Sequence, residues 1–150
     1  MSIDVSPGTS DSDAGRRGAR RPSTPPVELT LSVEDDLLVL ARLTISAVAS
    51  RAGFDVEEIE DLRLAVDELC LLVLRGRRTG RLVLAMGIEP GCIDVWCRYD
   101  GTEEPGDDAA EDEGELSERI LDALVDEHGP ATFAGRTGAH LCKRRALADG

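Results

Sequence analysis

Aromatic side chains are scarce in this sequence, with two Phe, one Tyr and one Trp. A core therefore has to be built from Leu, Val, Ile and Ala. Bases are also in deficit, 17 against 30 acids, for a formal net charge of −13. That balance disfavours non-specific contact with nucleic acid and suits a soluble protein or one with a basic partner. No window approaches the roughly 18 consecutive apolar residues of a membrane span. The start MSIDVSPGTSDSD lacks the charged head and apolar stretch of a secretory signal. A cytoplasmic protein without membrane association is expected. The only sulfur–imidazole inventory is Cys70, Cys92, Cys97, Cys142, His128 and His140. No Cys-x-x-Cys pair and no zinc-type spacing occurs among them, so buried thiols and no metal are expected.

Residues 1–26 are rich in Ser, Gly, Pro, Asp and Arg and have few large apolar side chains. Such a segment does not offset its ordering entropy, and a disordered tail is expected. The run RRGARR within it is read as solvated, with no direct nucleic-acid contact. Order begins at VELTLS, where Val27, Leu29 and Leu31 alternate with polar residues in strand period. Ser32 is a candidate N-cap for a helix whose apolar stripe runs through Leu37, Leu38, Ala41, Ile45, Val48, Ala49 and Ala52, stopped by Gly53. Asp55 caps a second helix, from about Val56 to Arg75, with Ile59, Leu62, Ala65, Val66, Leu69, Leu72 and Val73 inward. RLVLAMGI and CIDVWCRY, joined by EPG, predict a β-hairpin.

Nine of the sixteen residues 100–115 are acids, beside three Gly and one Pro, which predicts a mobile acidic loop. LSERILDALVDEH predicts a short helix with Leu116, Ile120, Leu121, Leu124 and Val125 inward. ATFA and GAHLCKR predict the last strands, and the chain is expected to fray at 147–150. This order of elements indicates an α+β two-layer sandwich, a mostly antiparallel sheet with three helices on one face.

LARLTISAVA followed by DLRLAVDELC resembles the first two helices of the RsbW/SpoIIAB-like anti-sigma factors, serine protein kinases on the GHKL (Bergerat) ATPase fold. LDALVDE, then a Gly-Thr-containing strand running into KRRA, is also similar, so the resemblance spans residues 27–146. Among its members the chain most resembles the actinobacterial RsbW-type proteins. The resemblance makes residues 100–115 the ATP-lid region. In the family the second helix carries Glu-x-x-x-Asn, a general base and a magnesium ligand one turn apart. Here those positions are Glu68 and Leu72, and an isobutyl group does not ligate a hard cation. The family's Asp-x-Gly-x-Gly matches YDGTE, with Tyr99 at the adenine-binding Asp, Gly101 at the first Gly and Glu103 at the second. Asp100 stands one residue out of place, which on a strand turns it to the other face. Glu115 and Ser117 stand where lid glycines are expected.

The resemblance thus implies a degenerate adenine site at Asp100 and Gly101 and a vestigial base at Glu68. It also implies a sigma-contacting arginine at Arg42. It further implies a homodimer and an anti-anti-sigma antagonist of the STAS type. Three readings stay open at this point: a binding protein that sequesters a sigma factor without any cofactor, an ATP- and magnesium-dependent serine kinase acting on the antagonist, and a GHKL-like module for another basic partner.

Overall fold

The computed structural model describes residues 27–106, 108–133 and 135–146, with the backbone alone for 108–113. The expected tail at 1–26 and the frayed end at 147–150 lie outside the described residues. The elements are β1 (Val27–Ser32), α1 (Asp35–Arg51), α2 (Val56–Leu74), β2 (Arg81–Glu89), β3 (Cys92–Asp100), α3 (Asp108–Leu124), β4 (Glu127–Phe133) and β5 (Arg136–Arg144). The sheet order is β1-β2-β3-β5-β4, and every neighbouring pair is antiparallel. No helix among the described residues is long and apolar enough to cross a membrane.

Local chemistry explains most boundaries. At the start of α2, the Asp55 carboxylate accepts from the Glu58 amide, and Glu58 accepts in return from the Asp55 amide. This reciprocal cap satisfies two otherwise orphaned N–H groups. The α2 C-cap is Arg75, left-handed at φ 49°, followed by Gly76 at φ 82°. The turn Pro90–Gly91 closes β2 onto β3 with Glu89 opposite Cys92. Ser32 does not cap α1 as expected: it pairs with Arg81 at the end of β1, and Glu34 is the N-cap without a side-chain bond. The ladder claims Ser32 because β1 pairs over its full length.

Strand alternation sorts the sheet into two faces. Leu82, Leu84, Met86, Ile93, Val95, Cys97, Tyr99 and Leu141 join one core with Ala41 and Ile45 of α1, Leu62 and Leu69 of α2, and Leu121 of α3. Burying one such aliphatic stabilises the fold by about 1.5–3 kcal/mol. Ala85, Trp96, Ala131 and Phe133 form a separate cluster on the opposite face.

The C-terminal third departs from expectation in three places. The acidic stretch passes into α3 at Asp108, eight residues before the expected helix, because Ala is the best helix former and acids suit an N-terminal turn. Leu116 is 59% exposed, and its neighbour Ser117 is buried in its place. Helix α3 ends at Leu124, so that Glu127 and His128 already belong to β4. β4 tolerates Pro130 because it is an edge strand with one side unpaired.

Candidate functional site

Helix α2, the end of β3 and the loops at 75–80 and 101–106 meet at one end of the sheet. Beside this junction a cavity of about 400 Å³ opens between the helices and β4–β5, walled by Leu69, Leu72 and Tyr99 and by residues 128–130 and 137–139, with Arg75, Arg77 and Glu118 at its polar margin. Leu72 sits on this wall, half-buried. Glu68, one turn earlier on α2, is not among the lining residues. Its carboxylate accepts a 2.8 Å hydrogen bond from the Ser117 hydroxyl of α3. That bond explains why Ser117 faces inward and Leu116 outward. Asp100 is directed away as well, 3.6 Å from Arg136, and does not line the cavity.

Tyr99, Arg77 and Glu103 are engaged with one another. The Tyr99 hydroxyl donates to the Thr79 carbonyl at 2.8 Å and accepts from the Glu103 amide at 3.3 Å. The Arg77 guanidinium stacks over the Tyr99 ring, 4.2 Å from its centroid. The Glu103 carboxylate accepts from the amides of Arg78 and Thr79, at 2.7 and 2.8 Å, and from the Thr79 hydroxyl. Gly101 and Gly80 make room for the ring: a Cβ at either would lie 2.4 or 2.6 Å from the Tyr99 hydroxyl. Tyr99, Arg77 and Glu103 form a latch that ties the loop after α2 to the loop after β3.

Hydrogen bonds from the Arg78 and Thr79 amides, and then from the Thr79 hydroxyl, hold the Glu103 carboxyl below the usual glutamate range. Its folded value is depressed, so its contribution to stability is complete above the ordinary glutamate range. It is lost as pH falls through the lowered value. Glu103→Gln is expected to flatten the acid limb of a Tm-against-pH curve. An acid limb unchanged from wild type would remove Glu103 from the latch.

Arg42 lies on the helical layer. Its Nε is 3.3 Å from the Asp67 carboxylate, an ionic contact without a directed hydrogen bond. Partial burial pushes the Asp67 carboxyl up, against the lowering effect of Arg42. The Asp67–Glu68 pair of α2 thus has two separate attachments, Asp67 to α1 and Glu68 to α3.

Sequence reasoning missed Ser117 as the partner of Glu68 and Arg77 as the cover of Tyr99, since neither follows from spacing along the chain. It also missed a buried group on the opposite face of the sheet: Cys92, Asp94, His140 and Cys142. The signal was present as Cys-x-Asp on one strand and His-x-Cys on another, i,i+2 pairs that each share a face. Cys92 and Cys97 fall on opposite faces. Cys97 instead meets Cys70 of α2, and that hydrogen bond, with full burial, pushes its thiol well up.

An antiparallel sheet with three helices on one face and a cleft between the layers defines a two-layer α+β protein. No protein-family model matches the chain. It is 26% identical over 131 residues to the serine-protein kinase RsbW of Bacillus subtilis, covering 75% of this chain and 82% of that relative. It is 48% identical over 80 residues to the serine-protein kinase RsbW of Listeria innocua, covering 51% of each. To the RsbW of Bacillus pumilus it is 46% identical over 44 residues, covering 29% of this chain and 27% of the relative. The chain thus spans most of the first of these relatives and about half or less of the other two. These matches support the RsbW/SpoIIAB-like anti-sigma-factor family as the family of this chain.

Proposed function

We propose that the chain is an anti-sigma factor on a GHKL-type scaffold, which sequesters a sigma factor by stoichiometric burial and has lost or weakened nucleotide binding. Release follows partner switching with an anti-anti-sigma protein of the STAS type, and the working form is a homodimer. The observation that carries this reading is the distribution of exposed large aliphatics among the described residues. Val39, Leu40 and Leu43 lie on α1, Val56, Leu64 and Leu71 on α2, and Leu116 on α3. All seven lie on the helical layer, the layer that carries Arg42, and exposed apolar side chains concentrated on one layer suit a protein partner. Arg42 is held there by one ionic contact, which leaves guanidinium donors for a carboxylate on the partner. Loss of nucleotide binding is supported by Leu72 at the metal position and by the Tyr99–Glu103 latch at the purine position.

The second reading, an active serine kinase that phosphorylates the antagonist, is favoured by the cavity and by the two cations at its rim, Arg75 and Arg77. One experiment separates them. The protein is captured from its native cells and the co-purifying sigma factor is titrated against wild type and Arg42→Glu, with and without Mg-ATP. A single sigma factor is expected, bound at least about tenfold more weakly by Arg42→Glu, the loss of one charge-assisted pair. No saturable rise in Tm with submillimolar Mg-ATP is expected. Such a rise would overturn the loss of nucleotide binding, and undiminished binding by Arg42→Glu would remove Arg42 from the interface. At −13, association with a basic partner slows as salt rises.

A further inference from the structure

The sheet face turned away from the helices holds a cluster that the anti-sigma reading does not use. Asp94 of β3 stands directly opposite Cys142 of β5, and Trp96 opposite His140. Cys92, two residues before Asp94, shares its face. The two sulfurs approach to 3.2 Å, and Cys92 Sγ lies 4.0 Å from Asp94 Oδ2. The other oxygen, Oδ1, is 3.0 Å from His140 Nε2. Cys92, Asp94, His140 and Cys142 are exposed by 6, 6, 3 and 1%. Alternation on a sheet face puts either solvated polar groups or apolar ones at such positions, whereas here two thiols, a carboxylate and an imidazole are buried together.

We propose that Cys92, Cys142 and Asp94 form a binding site for a thiophilic divalent cation of the zinc class, with His140 as the positioning residue for Asp94. The ligand atoms all lie within 4.8 Å of one another. Tetrahedral zinc, with sulfur at about 2.3 Å and oxygen at about 2.0–2.2 Å, needs ligand atoms about 3.3–3.8 Å apart. The division of labour at Asp94 matches a ligand site: one oxygen is fixed by the imidazole and the other is turned toward the sulfurs. A carboxylate oriented in this way is how outer groups tune metal ligands. The fourth position is left to water. Two thiolates and a carboxylate around a divalent ion leave one net negative charge, and Arg144, opposite Cys92 on β5, stands beside it. Burial, then the Cys92 hydrogen bond and the Asp94 charge, pushes the Cys142 thiol well above its ordinary range.

Reading the cluster as a metal site is independent of sigma binding, since it lies on the other face of the sheet. The experiment is an anaerobic titration of the reduced full chain with Co²⁺, followed by displacement with Zn²⁺. One equivalent is expected to produce thiolate-to-cobalt charge transfer of an intensity for two sulfurs, abolished by zinc. Cys92→Ser and Cys142→Ser are expected to lose the two-sulfur spectrum, and Cys70→Ser to keep it. His140→Gln is expected to weaken cobalt binding about 10–100-fold. Absence of charge transfer in the wild type, where folding of a variant is not in question, would overturn the proposal. So would a two-sulfur spectrum that survives in Cys92→Ser. Isolation of the chain with Cys92 and Cys142 joined as a disulfide that reductant restores to thiols, still without cobalt binding, would replace the metal site with a redox pair.

Discussion

Tyr99→Ala is expected to cost about 3–5 kcal/mol of stability, the range for truncating a buried aromatic ring. The ring is only 8% exposed and is held on three sides: by Arg77 over its face, by Gly80 and Gly101 against its hydroxyl end, and by Thr79 and Glu103 through hydrogen bonds. Its removal frees both loops at once. Tyr99→Phe keeps the packing and loses the hydroxyl, for about 1 kcal/mol. Urea denaturation of the three proteins measures the series. If Tyr99→Ala costs no more than Tyr99→Phe, the ring is not the tie between the loops, and a vacated nucleotide site would be the better description of this end of the sheet. Under the latch reading, Tyr99→Asp also destabilises the chain, since the carboxylate replaces neither the ring nor its hydroxyl contacts.

Gly138→Ala is expected to cost about 3 kcal/mol or more, at the upper end of overpacking. A Cβ at this position would lie 2.1 Å from the Cys97 carbonyl oxygen and 3.0 Å from Arg98 Cα. Both obstacles belong to β3 backbone paired with β5, so relief requires the strands to part. Gly129, on the neighbouring β4, is the internal control. A Cβ there meets nothing within 4 Å, and Gly129→Ala is expected to stay within about 0.5 kcal/mol of wild type. Equal Tm values for the two alanine variants would show that the strand spacing at Gly138 relaxes at no cost.

Short-range signals were legible in the sequence and long-range ones were not. Asp55 announces a helix start because its cap is completed within four residues. Pro90–Gly91 announces a hairpin because the turn fixes its own register. The apolar stripes of α1 and α2 were readable by period, as was the two-layer class. The placement of β5 between β3 and β4 was not, since antiparallel pairing across forty residues leaves no local mark. The inward turn of Ser117 was hidden for the same reason: its cause, Glu68, is 49 residues away. For the site, the resemblance pointed to Glu68, Leu72, Tyr99, Asp100, Gly101 and Glu103; of these Leu72 and Tyr99 line the cavity, and Glu68 and Asp100 do not. The contacts of Tyr99 with Arg77 and Glu103 emerged only when the two loops were brought together.

The chain has a single tryptophan, and Trp96 is 2% exposed on the far side of the sheet, its ring centroid 5.0 Å from that of His140. Intrinsic emission therefore samples one compartment. Unfolding releases the indole to water and shifts its colour, and events beside the imidazole change its brightness. A protein landing on the helices touches neither, so a fluorimeter blind to docking is for that reason a clean monitor of the opposite surface.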